Sequence, residues 1–170
     1  MKRKSPDLED FSTLDPASIE DLVDRMLDED VGDGDITSLS VIPKKATLEA
    51  VLVAREGVVV AGLPVALAVF RRLVPDVQFD VQARDGDIVR ANGTIVTVSG
   101  QARGLLTAER SALNVLQHLS GIATMTHRYA VAIENTGAKL LDTRKTIPGL
   151  RRYAKYAAMM GGAHNHRMGL

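Results

Sequence analysis

One stretch, from Leu140 to Leu170, limits the possible folds more than any other part of the chain. It reads LLDTRKTIPGLRRYAKYAAMMGGAHNHRMGL. Lys139, Leu140 and Leu141 follow the turn residues Asn135-Thr136-Gly137 and predict a short strand. Asp142 to Thr146 is a polar loop with adjacent cations, Arg144 and Lys145. Pro148 suits the first turn of a helix, where no intrahelical N–H partner is needed. Leu150, Tyr153, Ala154, Ala157 and Ala158 then recur at spacings of three and four, the pattern of one helix face. Gly161-Gly162 stops that helix, and Ala163 to Arg167 opens another strand carrying His164, His166 and Arg167. Strand, helix, strand in this order predicts a parallel βαβ unit. Folds of that kind hold their ligands at the ends of the strands.

Charge points to the same region. From Ala138 to Leu170 the cations are Lys139, Arg144, Lys145, Arg151, Arg152, Lys155 and Arg167, and the only acid is Asp142. Residues 1 to 36 are the reverse, with twelve Asp or Glu against Lys2, Arg3, Lys4 and Arg25. The whole chain is neutral, so the asymmetry is regional. A cationic surplus at loop ends favours a small polyanion such as carboxylates or phosphates. Arg151, Arg152 and Lys155 read equally well as a solvated helix face. Arg144, Lys145 and Arg167 flank predicted strand ends and fit a ligand site better.

Composition removes several classes of function. There is no Cys, which excludes disulfides, thiolate catalysis and Cys-bound zinc. No apolar run reaches the roughly 18 residues that span a membrane. Met1-Lys2-Arg3-Lys4 has no apolar stretch behind it, so a cytoplasmic location is expected rather than a signal peptide. Aromatic residues make up 4% with no Trp, which argues against a base-stacking nucleic-acid platform.

Taken in order, residues 1 to 15 are polar and expected to be mobile. Ser18-Ile19-Glu20-Asp21 resembles a capping box, followed by a helical stripe of Ile19, Leu22, Val23, Met26 and Leu27 up to about Gly32. Asp33-Gly34-Asp35 is an acidic turn without the ligand spacing of a calcium loop. Two strands, 47–54 and 58–60, break at Glu56-Gly57, and Gly62-Leu63-Pro64 opens a helix to about Leu73. Val77 to Ala83 is another strand. Ile88-Val89 and Thr94 to Val98 read as a hairpin through Asn92-Gly93. Two helices follow, 102–119 and 122–134, separated at Ser120-Gly121. The predicted fold class is α/β, divided into an N-terminal α+β sandwich domain, residues 1–103, and the opening βα units of an incomplete α/β barrel, residues 104–170.

The segments AERSALNVLQHLSGIATMT, DTRKTIPGLRRYAKYAAMMGG and HNHRMGL, together with EDVGDGDIT nearer the N-terminus, closely resemble the quinolinate phosphoribosyltransferases. These are also called nicotinate-nucleotide pyrophosphorylases (carboxylating). The resemblance covers nearly the whole chain, with Ala163 standing where a third Gly is common in the family. It implies a sandwich domain followed by an unusual α/β barrel. It also implies transfer of a phosphoribosyl group from phosphoribosyl pyrophosphate to quinolinate, with loss of carbon dioxide and pyrophosphate to give nicotinate mononucleotide for NAD biosynthesis. Thr143, Arg144 and Lys145 match the family's TRK substrate loop, His166 and Arg167 its HR pair, and Arg110 the arginine that reaches into a neighbouring subunit's site. The resemblance therefore implies a homodimer or a larger assembly. Mg2+ is expected to enter through phosphoribosyl pyrophosphate, with protein ligands beyond Leu170. A further substrate lysine and the Gly-rich phosphate loops are expected there too, so this chain is read as a fragment without turnover of its own.

The chemistry suits these residue types. Quinolinate carries two adjacent carboxylates, and burying them needs roughly two compensating positive charges. Arginine's planar fork grips a carboxylate with two bonds. A rival within the superfamily is the pyrophosphorylase-like protein associated with molybdenum transport, which shares the TRKT-like loop. The fuller match at HNHR and LNVLQHLSGIAT favours the quinolinate enzyme. A basic RNA-binding surface and a non-catalytic anion-binding fragment are the readings from other classes, but no RNP or KH motif accompanies the cations. His164 and His166 would share one face of a strand, as a metal pair requires, yet no Cys and only the distant Asp142 is available to complete a site.

Overall fold

A computed structural model describes residues 14–32 and 34–169. The leading polar residues 1–13, Asp33 of the acidic turn and Leu170 lie outside the described residues.

The chain opens with α1 (Pro16–Asp30). Its cap is Asp15, whose side chain accepts from the Ser18 N–H at 3.1 Å, with Pro16 at the start of the helix. The cap sits three residues before the predicted box because proline's fixed φ suits the first turn and Asp15 offers a carboxylate just ahead of it. A short helix that the sequence reading lacks, α2 (Ile36–Val41), follows the acidic turn. Asp35 caps it, accepting from the Ser38 N–H and hydroxyl and from the Thr107 hydroxyl at 2.9 Å. These bonds, the Ser38 side chain's first, hold its carboxyl below the usual range.

The strands are β1 (Thr47–Val53), β2 (Val58–Val59), β3 (Gln78–Val81), β4 (Ile88–Val89) and β5 (Thr94–Gln101). They form an antiparallel sheet in the order β1-β5-β3 and a separate two-stranded ribbon, β2-β4. The predicted hairpin between β4 and β5 is therefore absent. Asn92 does turn the chain, with φ 65°. The turn's outer backbone is taken by the end of β1: the Asn92 N–H donates to Ala54 O at 2.7 Å and the Ala54 N–H to Gly93 O at 2.9 Å. That hold sends β5 onto β1 and leaves β4 on β2.

Helix α3 (Leu63–Leu73) lies beside α4 (Ala102–Ile133), and Phe70 of α3 meets Phe79 of β3 edge-on at 6.5 Å. A single apolar core runs from Leu22 to Ala157 through both helices and β5. Gly62 sits at φ 91°, and a Cβ there would stand 2.6 Å from Leu119 Cδ1, so the approach of α3 to α4 needs glycine. β5 passes into α4 at the predicted domain junction, where the Gln101 side chain accepts from the Gly104 N–H at 2.7 Å.

α4 is one helix of 32 residues, not two. Leu116, Leu119 and Ala123 keep the apolar stripe in phase through Gly121, whose position has open space around it. Ser120 does not stop the helix because its hydroxyl is used on the segment that links β2 to α3. It accepts from the Ala61 N–H at 3.0 Å and donates to Ala61 O at 3.2 Å. The Thr124 hydroxyl likewise accepts from the Val59 N–H, so α4 covers the backbone around β2. No helix among the described residues is long and apolar enough to cross a membrane.

The C-terminal unit is a turn, a helix and two extended segments. α5 (Arg151–Met160) begins three residues after Pro148 because Gly149, at φ 82°, cannot belong to a right-handed helix. Gly161 ends it against α4, where a Cβ would stand 2.3 Å from Ala123 O. The predicted strands either side of α5 are parallel, as expected, but shrink to one bridge, Leu141 with His164. It is closed by Asp142 N–H to His164 O at 3.1 Å and His164 N–H to Leu140 O at 2.8 Å.

Candidate functional site

That bridge sets two chain segments side by side at their C-terminal ends. One continues as Asp142-Thr143-Arg144-Lys145, the other as Asn165-His166-Arg167. Behind them α5 contributes Lys155, which is 1% exposed. Its ammonium lies 2.6 and 2.7 Å from the two Asp142 carboxylate oxygens and 2.6 Å from His166 O. The Asp142 side chain is also buried, 3% exposed. It accepts in addition from the His166 N–H at 2.8 Å and from the Asn165 amide at 2.7 Å. The same Asn165 amide reaches Lys155 O at 3.0 Å. The two segments are thus tied through one buried ion pair whose hydrogen-bonding groups are engaged on both sides.

In front of the pair opens a cleft of about 760 Å³ between α4 and the 140–150 loop. Thr143, Lys145, Thr146 and Lys155 line it on one side, Met125 and Tyr129 of α4 on the other. The Thr143 hydroxyl accepts from the Lys145 N–H at 3.1 Å, which fixes the loop's turn. Arg144 does not line this cleft. Its Nε and the Thr146 hydroxyl are buried and without a hydrogen-bond partner among the described residues. His166 and Arg167 are exposed on the neighbouring segment, and His166 Nδ1 accepts from the Arg167 N–H at 2.9 Å. With Nδ1 an acceptor, a neutral His166 carries its proton on Nε2, facing away from its own backbone.

The geometry therefore brings Thr143, Arg144, Lys145, His166 and Arg167 to adjacent segments. Arg110 is not among them. It stands on the N-terminal third of α4, its side chain 74% exposed, 3.3 Å from Asp30 of α1. Ser111 beside it donates to the same carboxylate at 2.9 Å. The three helix cations that read as a solvated face divide. Arg152 pairs with Asp15, Arg151 donates to Met168 O at 3.2 Å, and Lys155 is the buried member described above. Sequence reasoning missed Lys155 and Asp142 as a unit. The available signal was that Asp142 is the one acid amid seven cations from residue 138 onward. Among the described residues no group of three or more His, Asp or Glu side chains could hold a metal ion.

A second tie fastens α5 to the loop between β3 and β4. The Tyr156 hydroxyl donates to Asp85 Oδ2 at 2.8 Å, and Asp85 also accepts from the Gly62 and Leu63 N–H groups at the start of α3. Burial first, and then the neighbouring Asp85 charge, push the Tyr156 hydroxyl well above the usual tyrosine value.

Comparison with known proteins gives this arrangement a family. Residues 35–120 match the pattern described as quinolinate phosphoribosyl transferase, N-terminal domain, and residues 122–170 the corresponding C-terminal domain. A probable nicotinate-nucleotide pyrophosphorylase [carboxylating] of Synechocystis sp. is 45% identical over 89% of this chain and 51% of its own length. The nicotinate-nucleotide pyrophosphorylase [carboxylating] of Mycobacterium leprae is 43% identical over 88% of this chain and 54% of its own. The solved nicotinate-nucleotide pyrophosphorylase of Francisella tularensis superposes with a TM-score of 0.91 at 37% identity, covering 96% of this chain and 58% of that one. The chain spans about half the length of the curated relatives it matches. With both domain patterns present in order across most of its length, the chain belongs to the quinolinate phosphoribosyl transferase family.

Proposed function

We propose that this chain contributes to a phosphoribosyltransferase that converts quinolinate and phosphoribosyl pyrophosphate to nicotinate mononucleotide, pyrophosphate and carbon dioxide. The observation that carries the reading is the pairing of the 143–145 loop with the 166–167 segment across one parallel bridge, all five side chains being capable donors to an anion. The buried, unpartnered Arg144 Nε supports it, because a buried donor of a cation is expected to have an acceptor. In this reading Arg144 and Arg167 grip the carboxylates, Lys145 adds a point charge, and Thr143 and His166 supply further hydrogen bonds.

The reaction then asks little covalent chemistry of the protein. The pyridine nitrogen attacks the anomeric carbon with its lone pair while the bond to pyrophosphate breaks and pyrophosphate takes that electron pair. Positioning and stabilisation of the oxocarbenium-like state carry the rate. The ribosylated ring is cationic, so it accepts the electron pair of the carbon–carbon bond when carbon dioxide leaves. A proton from solvent completes the ring C–H. Mg2+ bound to the pyrophosphate substrate would neutralise part of its charge; the described residues supply no cluster for it, and no step of this chain runs through it. Arg110, exposed and paired with Asp30 at its edge, is proposed to serve the site of a second copy in a homodimer. The reading includes a cytoplasmic location.

The test is calorimetric titration of the chain with quinolinate and with benzene-1,3-dicarboxylate, which has the same charge but separated carboxylates. Preferential binding of quinolinate, lost on replacing Arg144, supports the reading. Equal affinity for the two, or none for either, refutes these segments as the dicarboxylate site.

A further inference from the structure

The Asp142–Lys155 pair has no part in the chemistry above, yet it is the most deeply buried charge in the described chain. We propose that Asp142 and Lys155 are positioning residues: they hold the 143–145 loop and the 166–167 segment at the separation that adjacent carboxylates require. This rests on the reading of those segments as the dicarboxylate site.

Three features carry it. Lys155 is not a substrate cation, because an ammonium has three protons and three protein oxygens surround it at 2.6–2.7 Å. His166 is gripped at both of its backbone groups, its N–H by Asp142 and its C=O by Lys155. Asp142 is also the residue directly before Thr143. One carboxylate and one ammonium thus fix where both ligand-bearing segments begin. A buried ion pair is a poor device for stability alone, since apolar residues of similar size serve as well or better. Its use here fits a demand for fixed geometry. The anchor is itself rigid: α5 is wedged on α4 at Gly161, where a Cβ would stand 2.3 Å from Ala123 O.

The experiment replaces the pair by apolar residues, Asp142→Leu with Lys155→Met, a swap that leaves no orphan charge. All five ligand-bearing side chains remain. The readouts are the affinity ratio for quinolinate over benzene-1,3-dicarboxylate and hydrogen exchange at the His166 amide. The expected result is a folded variant that keeps weak anion binding but loses about tenfold or more of the preference for adjacent carboxylates, as displaced charge-assisted contacts would give. Exchange at His166 becomes fast while that in α4 does not change. Tyr156→Phe, which removes a buried bond touching neither segment, keeps the preference. If the double variant does not fold, Asp142→Asn is read by the same two measurements. An unchanged preference in a folded variant overturns the proposal. Should the unmodified chain itself show no preference, the dicarboxylate reading fails separately, and His166 exchange decides the staple: fast exchange in the unmodified chain overturns it, and protection lost only in the variants upholds it.

Discussion

Replacing Lys155 alone by Met removes one charge of a buried pair and leaves the other. Met is close to Lys in length and apolar, so little cavity opens, and the penalty is electrostatic. Asp142 would keep only the His166 N–H and the Asn165 amide around a carboxylate that is 3% exposed. His166 O would lose its donor as well. Removing one partner of a buried pair costs about 3–5 kcal/mol. The three severed bonds, at about 1.5–3 kcal/mol each, set an upper bound of about 4.5–9 kcal/mol, since the two to Asp142 belong to one ion pair and are not additive. For a chain of this size that lowers the melting temperature by about 6–20 °C, at roughly 2–4 °C per kcal/mol. Adding Asp142→Leu to Lys155→Met should recover most of the loss, because the orphan charge goes too. Urea denaturation of the unmodified chain, the single variant and the double variant measures both differences. A single variant within about 1 kcal/mol of the unmodified chain, the range of exposed ion pairs, would refute the burial argument. So would a double variant less stable than the single one.

Gly161→Ala puts a Cβ 2.3 Å from Ala123 O, a backbone atom, and should cost at least about 1–3 kcal/mol in urea denaturation, whereas Gly57→Ala, with open space around it, should stay within about 0.5 kcal/mol. Tyr156 is held neutral by the fold more strongly than in the unfolded chain, so its contribution is intact below about pH 10 and declines as pH rises beyond it. Melting curves at pH 8 and pH 11 should show that decline shrink in Tyr156→Phe, which at neutral pH loses only about 1 kcal/mol. Arg144→Lys keeps the charge but not the fork, and calorimetry should find quinolinate bound about tenfold to a hundredfold more weakly, or 1.5–3 kcal/mol at 1.4 per decade. Unaltered affinity would mean that Arg144 is not the carboxylate ligand.

Elements with a strong local period were readable from the chain. The helices α1 and α3, the alternation of β1 and the strand β5 appear close to where the sequence sets them. Two of the failures share a cause, which is that a local signal was answered by a distant partner; the third was decided by the next residue. Asn92-Gly93 does turn the chain, but Ala54, far back in the sequence, takes the backbone groups that a hairpin would have used. Ser120-Gly121 has the composition of a break, yet the Ser120 hydroxyl is engaged by Ala61, and the helix runs on. Pro148 is a helix starter by type, but Gly149 at positive φ delays the helix.

The same distinction separates the legible from the hidden parts of the site. Arg144, Lys145, His166 and Arg167 could be named because charge at the ends of strands is a local property. Lys155 could not, because its burial follows from a carboxylate thirteen residues earlier and a carbonyl eleven residues later meeting behind α5. Helical period alone places Lys155 next to Arg151 and Arg152 and gives no reason to treat it differently. What distinguishes it is neutralisation. A segment rich in cations that contains a single acid can bury one cation cheaply, the one that acid reaches, and must leave the others to solvent, to carbonyls or to an outside anion. Asp142 selects Lys155, Asp15 takes Arg152 and Met168 O takes an Arg151 amine. Among the described residues Lys139, Lys145 and Arg167 form no side-chain ion pair, and the Nε atoms of Arg144 and Arg151 are buried without a partner; of these, Arg144, Lys145 and Arg167 stand on the two bridged segments, where a dianion would meet them.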